Sequence, residues 1–199
     1  MDKSTRYFYP LLSTGVAEQL MLVAFILTFL ILLLIASAVA FVITVCIAAT
    51  MFSGAPWVAT RLPTIRMMCD LAELKPGDRV LDLGCGDGAI LLVAAKEYGA
   101  VCFGVELNPL LVRFARFKAR RAGVADRVTI TRGNMHTADL PDVDVVMLYL
   151  LPKATARVER RLKQRYPHVR VISHGFQLQD TPQQSERKQE KVTVRRYEW

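Results

Sequence analysis

A chain of 199 residues, 52% of them hydrophobic, leaves room for one ordinary domain of about 100–150 residues once a membrane segment is set aside, and for no second one. The balance of 26 Lys and Arg against 18 Asp and Glu, net +8, calls for an anionic partner. Neither a stacking-aromatic platform nor a helix-turn-helix accompanies that charge, so nucleic acid is not expected. The four cysteines, Cys46, Cys69, Cys85 and Cys102, form no C-x-x-C pair and have no neighbouring histidines; they are expected to be reduced packing residues, with no metal centre.

A tail over 1–19 comes first. From Glu18 to Arg61 no charged side chain occurs, and the dense apolar run Leu20 to Phe52 exceeds the about 20 residues that a perpendicular helix needs to cross a bilayer. A hairpin would need a turn, and neither Gly nor Pro lies between Leu20 and Phe52. One long transmembrane helix over 20–52 is therefore expected, ending before Ser53-Gly54-Ala55-Pro56. A signal peptide has an apolar core of about 7–15 residues, much shorter than this run. The flanking charges, Lys3 and Arg6 against Arg61 and Arg66, do not set an orientation.

A linker and a pre-domain helix fill 53–78. Thr64 to Leu74 is amphipathic, with Ile65, Met68, Cys69 and Ala72 on one side, and Pro76-Gly77-Asp78 turns the chain into a first strand. Over 79–199, strand-like runs at 79–83, 101–106, 127–131, 143–149 and 168–173 interleave with helical segments at 88–98, 109–122 and 154–164. That alternation predicts an α/β fold with a mostly parallel sheet and right-handed crossovers. Leu110, Phe114 and Phe117 recur at helical spacing and are assigned to the core. Gln177 to Lys188 is polar and predicted to be a mobile loop, and the alternating Lys191 to Tyr197 an antiparallel edge strand.

The run Val80-Leu81-Asp82-Leu83-Gly84-Cys85-Gly86-Asp87-Gly88-Ala89-Ile90 describes a buried strand that breaks into a three-glycine turn and opens a helix. Gly84, Gly86 and Ala89 also fit the dinucleotide fingerprint, with Glu106 about 20 residues onward. Asp82 and Asp87 argue against a pyrophosphate there and for a cofactor carrying an ammonium and a sulfonium, as S-adenosylmethionine does. Glu106, at the end of a second short strand, can accept both ribose hydroxyls; the competing role is a helix N-terminal acid.

Through Val80 to Ile90, Gly104-Val105-Glu106-Leu107-Asn108 and Arg132-Gly133-Asn134-Met135, the chain resembles the class I S-adenosylmethionine-dependent methyltransferases, from about Trp57 to the C-terminus. The resemblance implies their Rossmann-like sheet, with Asp82 and the loop Gly84, Cys85, Gly86, Asp87 and Gly88 around the methionine moiety, Glu106 on the ribose and Asn134 on the adenine. Asn134 stands where Asp is more frequent, and an amide can still reach the adenine amino group. The membrane segment running into a pre-domain helix, Glu106-Leu107-Asn108-Pro109, and Asp144 to Pro152 resemble more closely the membrane-anchored lysine methyltransferases related to the mitochondrial enzyme acting on the ATP synthase c-subunit. That family tends to have Val-Pro followed by small hydroxyl residues where this chain has Val58-Ala59-Thr60, which leaves Thr60 as a substrate-lining candidate.

Ligands of such sheets gather beyond the carboxyl ends of the central strands. Tyr149 is the candidate nearest the transferring methyl group, with Leu150, Leu151 and Pro152 shaping the wall; its competing role is a core aromatic. His174 could line the substrate mouth, and His136 is expected to face solvent. Methyl transfer needs a neutral nucleophile held in line with the sulfonium, and an apolar slot that lowers a lysine pKa would supply one. The expected function is methylation of a lysine on a membrane protein; a lipid amine or quinone is the alternative substrate, and a non-catalytic cofactor-binding scaffold the alternative role. Because S-adenosylmethionine is kept in the cytosol or organelle interior, the domain is expected on the cytoplasmic or matrix side, and the lack of an Arg-rich presequence favours a bacterial inner membrane. Anionic lipid headgroups are the expected partner of Arg113, Arg116, Lys118, Arg120 and Arg121 and of Arg157, Arg160, Arg161, Lys163 and Arg165, against the competing reading of solvated helix faces.

Overall fold

The computed structural model describes residues 8–52 and 58–199, in two compact units divided between Ile47 and Ala48. The expected helix stop at Ser53 to Pro56 lies outside the described residues. Helix α1, Phe8–Phe52, is continuous and starts inside the segment expected to be a tail. Its stretch Gly15–Val45, 31 residues, is long and apolar enough to cross a membrane, and all of its residues are exposed. Within it the Thr28 and Thr44 hydroxyls donate to Ala24 O (2.8 Å) and Ala40 O (2.9 Å), so neither needs water or a second chain.

In the second unit, helix α2 (Leu62–Leu71) opens on Pro63 and packs Ile65, Met68 and Cys69 inward, with Ala72 at its C-cap also buried. Strands β1 (Arg79–Leu83), β2 (Val101–Glu106), β3 (Val128–Arg132), β4 (Val145–Leu148) and β5 (Arg170–His174) follow, with α3 (Ala89–Tyr98), α4 (Pro109–Arg121) and α5 (Pro152–Arg165) between them. Each expected strand and helix is present within a few residues of its predicted bounds. The sheet order is β3-β2-β1-β4-β5-β7-β6, with parallel pairing from β3 through β5. One core lies on the α2, α3 and α4 side, around Met68, Leu91 and Ile172; the other, around Leu83, Leu148 and Leu162, lies under α5.

Two expectations are corrected. The polar segment predicted to be a mobile loop contains strand β6 (Ser185–Gln189), which hairpins through Glu190 (φ 53°) onto β7 (Val192–Glu198). β7 pairs antiparallel with β5, so the sheet's outer edge is β6. Leu110, Phe114 and Phe117 are not core: they are 51%, 50% and 56% exposed, and α4 packs on the sheet through Val112, Ala115 and Ala119 instead.

Candidate active site

The strand order reverses between β1 and β4, where parallel strands on either side of β1 run to the same edge. A crevice opens there, beyond the carboxyl ends of the strands. β1 delivers Asp82 and breaks into the glycine turn. Gly84 N and Cys85 N both donate to Val105 O, at 2.8 and 3.2 Å, which hangs the loop on β2. Gly88, at φ 76°, starts α3, and a Cβ on it would lie 3.2 Å from Ala115 Cβ on α4. At Gly104 in β2, a Cβ would come within 2.6 Å of Leu91 Cδ1 and 2.7 Å of Cys85 Sγ. Glycine there lets α3 and the loop sit directly on the strand.

Glu106 is buried and accepts from Gly86 N (2.9 Å, Oε2) and from Asn108 N (2.7 Å, Oε1). It therefore ties the glycine loop to the end of β2. The helix-dipole role expected as its alternative falls instead to Asn108, whose side chain caps α4 by accepting from Leu110 N at 2.9 Å. Asp87 is paired with Lys118 of α4 (2.7 Å) and accepts weakly from Ala89 N (3.4 Å). Sequence reasoning missed the Lys118 pair, because Lys118 reads there as one more charge on a basic helix.

Asp82 differs from both. It is 3% exposed, and burial, then the Glu106 and Asp87 carboxylates, push its pKa up to about 8, with no hydrogen bond from the described residues offsetting the shift. Three acids, Asp82, Asp87 and Glu106, thus gather around the glycine turn, an environment that favours a cationic ligand over a pyrophosphate. Burial and the same acids raise the Cys85 thiol well above its ordinary value, so Cys85 packs as a neutral thiol.

Two clefts meet at Gly84. One is lined by Val58, Thr60, Asp82, Cys85, Asp87 and Tyr149. The other is lined by Glu106, Leu107, Gly133 and Asn134. The structure thus brings Thr60, Tyr149 and the glycine loop together on one side and Glu106 with Asn134 on the other. The Asn134 amide oxygen accepts from His136 N (2.9 Å), which leaves its second lone pair and its NH₂ for a ligand.

Tyr149 follows the last residue of β4, and its ring lies 4.0 Å, centroid to centroid, from that of His174, tilted by 36°. Burial lowers the His174 pKa, which favours a neutral ring against Tyr149, and its Nδ1 is buried with no hydrogen-bond partner among the described residues. Leu150 is 2% exposed and belongs to the core under α5, so it supports the wall from behind; Leu151 and Pro152 are exposed at the start of α5, and none of the three lines the two clefts. His136 is half-buried where solvent exposure was expected, with its pKa lowered by burial and by Arg157 and Arg161. Among the described residues no group of three or more His, Cys, Asp or Glu is placed to hold a metal ion.

The sheet order, the acidic glycine loop and the acid at the end of β2 define a class I S-adenosylmethionine-dependent methyltransferase. Residues 82–185 match the family described as ANTKMT methyltransferase domain, and the chain belongs to it. It is 35% identical over 125 residues to a protein-lysine N-methyltransferase of Saccharolobus islandicus, covering 62% of this chain and 78% of that one. It is 30% identical over 122 residues to the lysine N-methyltransferase of the ATP synthase c-subunit from Xenopus laevis, covering 61% of this chain; it spans only 53% of that relative's length. The crystal structure of an RNA methyltransferase from Salinibacter ruber in complex with S-adenosyl-L-homocysteine superimposes with a TM-score of 0.69 at 37% identity, over 71% of this chain and 93% of that one. The cofactor is S-adenosylmethionine.

Proposed function

We propose that the chain is a membrane-anchored lysine methyltransferase whose target is a membrane protein. Helix α1 (20–52 within it) is the anchor, 53–78 the connection, and 79–199 the catalytic domain. The observation that carries the reading is the buried Asp82 carboxyl, without a hydrogen-bond partner among the described residues, in the same cleft as Tyr149 and Thr60. Bound there, S-adenosylmethionine supplies an electrophilic methyl group on a sulfonium. Asp82 and the backbone of Gly84 to Gly88 hold its amino-acid end, Glu106 the ribose and Asn134 the adenine. Tyr149, backed by His174, and Thr60 form the wall along which an amine approaches in line. A lysine entering this slot leaves bulk water, which disfavours its ammonium form and yields the neutral nucleophile.

The lysine assignment is supported by the names of the Saccharolobus and Xenopus relatives, and the membrane assignment by the length and unbroken apolarity of α1. The charge-free part of the Gly15–Val45 stretch, 19–45, covers about 40 Å of helix at about 1.5 Å per residue, which exceeds a hydrocarbon core of about 30 Å and leaves room for tilt. The domain faces the compartment that holds the cofactor, the cytoplasm of a bacterial cell. The test is transfer of tritiated methyl groups in native membranes carrying the full chain, with label counted in delipidated protein, lipid extract and RNA. Label in a protein band, released as methyllysine on hydrolysis, is expected. Label confined to the lipid extract replaces lysine with a lipid amine or quinone, and label confined to RNA aligns the chain with the activity named for the Salinibacter structure.

A further inference from the structure

Helix α4 has two apolar faces, and the larger side chains are on the outer one. Val112, Ala115 and Ala119 pack on the sheet, while Leu110, Phe114 and Phe117 stand in solvent at helical spacing, preceded by exposed Leu107. Arginines border this stripe: Arg113 and Arg120 on one flank, Arg121 at its end, all exposed. Lys118, on the other flank, is held to Asp87. Two phenylalanines and a leucine exposed by half or more on one helix face, ringed by cations, are the composition of a helix that lies in a membrane interface rather than across it.

We propose that this face of α4 is a docking surface for anionic phospholipid, with Leu110, Phe114 and Phe117 entering the acyl boundary and Arg113, Arg120 and Arg121 on the headgroups. The proposal rests on the membrane anchoring read from α1, since a domain tethered to a bilayer meets that surface at high effective concentration. Charge complementarity selects the occupant: the rim is cationic, and the cytoplasmic leaflet is anionic. Position gives the surface a function. Asn108, the N-cap of α4, lies two residues after Glu106, and Leu107 is shared between the stripe and the cleft that Glu106 lines. Seating the stripe in the interface would hold the mouth of the crevice at the depth where the juxtamembrane lysine of a target emerges.

The test uses the full chain in vesicles of phosphatidylcholine with or without phosphatidylglycerol. Cys46→Ser removes the cysteine of α1, and Cys69, Cys85 and Cys102 are buried, so an environment-sensitive fluorophore can be placed at Phe114→Cys or, as a control, at Lys96→Cys on exposed α3 surface. Both positions are exposed, so neither substitution disturbs the core. Quenching by doxyl-labelled lipid several-fold stronger at 114 than at 96, and stronger with phosphatidylglycerol, is expected. Replacing Arg113, Arg120 and Arg121 together by Gln should abolish the lipid preference, and an unchanged preference would overturn the role given to these arginines. Flotation in a density gradient reads the anchor separately. A floating chain with equal, weak quenching at both positions overturns the docking surface and leaves the anchor standing, whereas a chain left at the bottom of the gradient overturns both. A fluorophore at 114 that responds only when membrane proteins are co-reconstituted assigns the face to a protein partner and overturns the lipid.

Discussion

Two buried acids in this domain have opposite environments. Glu159, fully buried on α5, accepts from Gln179 N (2.7 Å), Asp180 N (3.1 Å) and Thr181 Oγ1 (2.5 Å), with Lys163 Nζ at 3.8 Å. It pins the segment between β5 and β6. Asp82, buried to a similar depth, has other carboxylates for neighbours and its pKa raised to about 8. A carboxylate that the protein satisfies is part of the fold. One that it leaves unsatisfied at the edge of a cleft is kept neutral by a proton until a cation displaces that proton, which is the role proposed for Asp82.

The contrast is broken or sharpened first by Glu159→Ala, which leaves two backbone N–H groups and a hydroxyl without their acceptor. Chemical denaturation should show a loss of about 3 kcal/mol or more, the largest effect expected, with cofactor affinity of the remaining folded protein little changed. Asp82→Asn should do the reverse: a fall in S-adenosylmethionine affinity of about 1.5–3 kcal/mol by titration calorimetry, with a ligand-free melting temperature at pH 8 no lower than that of the native chain. If the variant instead melts early and binds normally, Asp82 is a structural acid like Glu159. Glu106→Ala lies between the two, because Glu106 holds the loop through Gly86 N and Asn108 N and is also the residue proposed to hold the ribose. It should lose affinity by about 1.5–3 kcal/mol and stability by about 1 kcal/mol. The smallest effect is His174→Phe, which keeps a ring against Tyr149 but removes the imidazole; kcat should change only a few-fold with KM for cofactor unaltered, and a shifted pH profile of kcat would give the imidazole a direct part in the reaction.

Much of this was legible in the sequence, for identifiable reasons. Strands buried on both faces read as apolar runs, so β1 through β5 and the helices between them were placed closely. The two aspartates of the glycine turn stood out in the sequence because they disfavour a phosphate ligand, and the structure places both in one cleft. Helix α4 was misjudged because periodicity detects an apolar face but not which of two faces meets the sheet; close approach selected the small Val112, Ala115 and Ala119. β6 was missed because Ser185 to Gln189 is exposed throughout and has no hydrophobic alternation, its strand form coming from pairing with β7. Glu159 was invisible for the opposite reason: among arginines and lysines it looks like a surface residue, and only the returning chain at Gln179 to Thr181 buries it.

The central claim, that Asp82 is the counter-charge awaiting a cationic cofactor, has a direct reading in proton release. The folded pKa of Asp82 lies above the unfolded value near 3.9, so its contribution favours the empty folded state at low pH and weakens as pH rises toward 8. At pH 7 the empty site is therefore mostly protonated, and binding a cation must expel that proton. Calorimetric titration of the full chain with S-adenosylmethionine, in two buffers of different ionisation enthalpy, should show release of about one proton at pH 7, vanishing above pH 9 and absent in Asp82→Asn. Binding that releases no proton at pH 7 in the native chain, with affinity independent of pH from 6 to 9, would contradict the account.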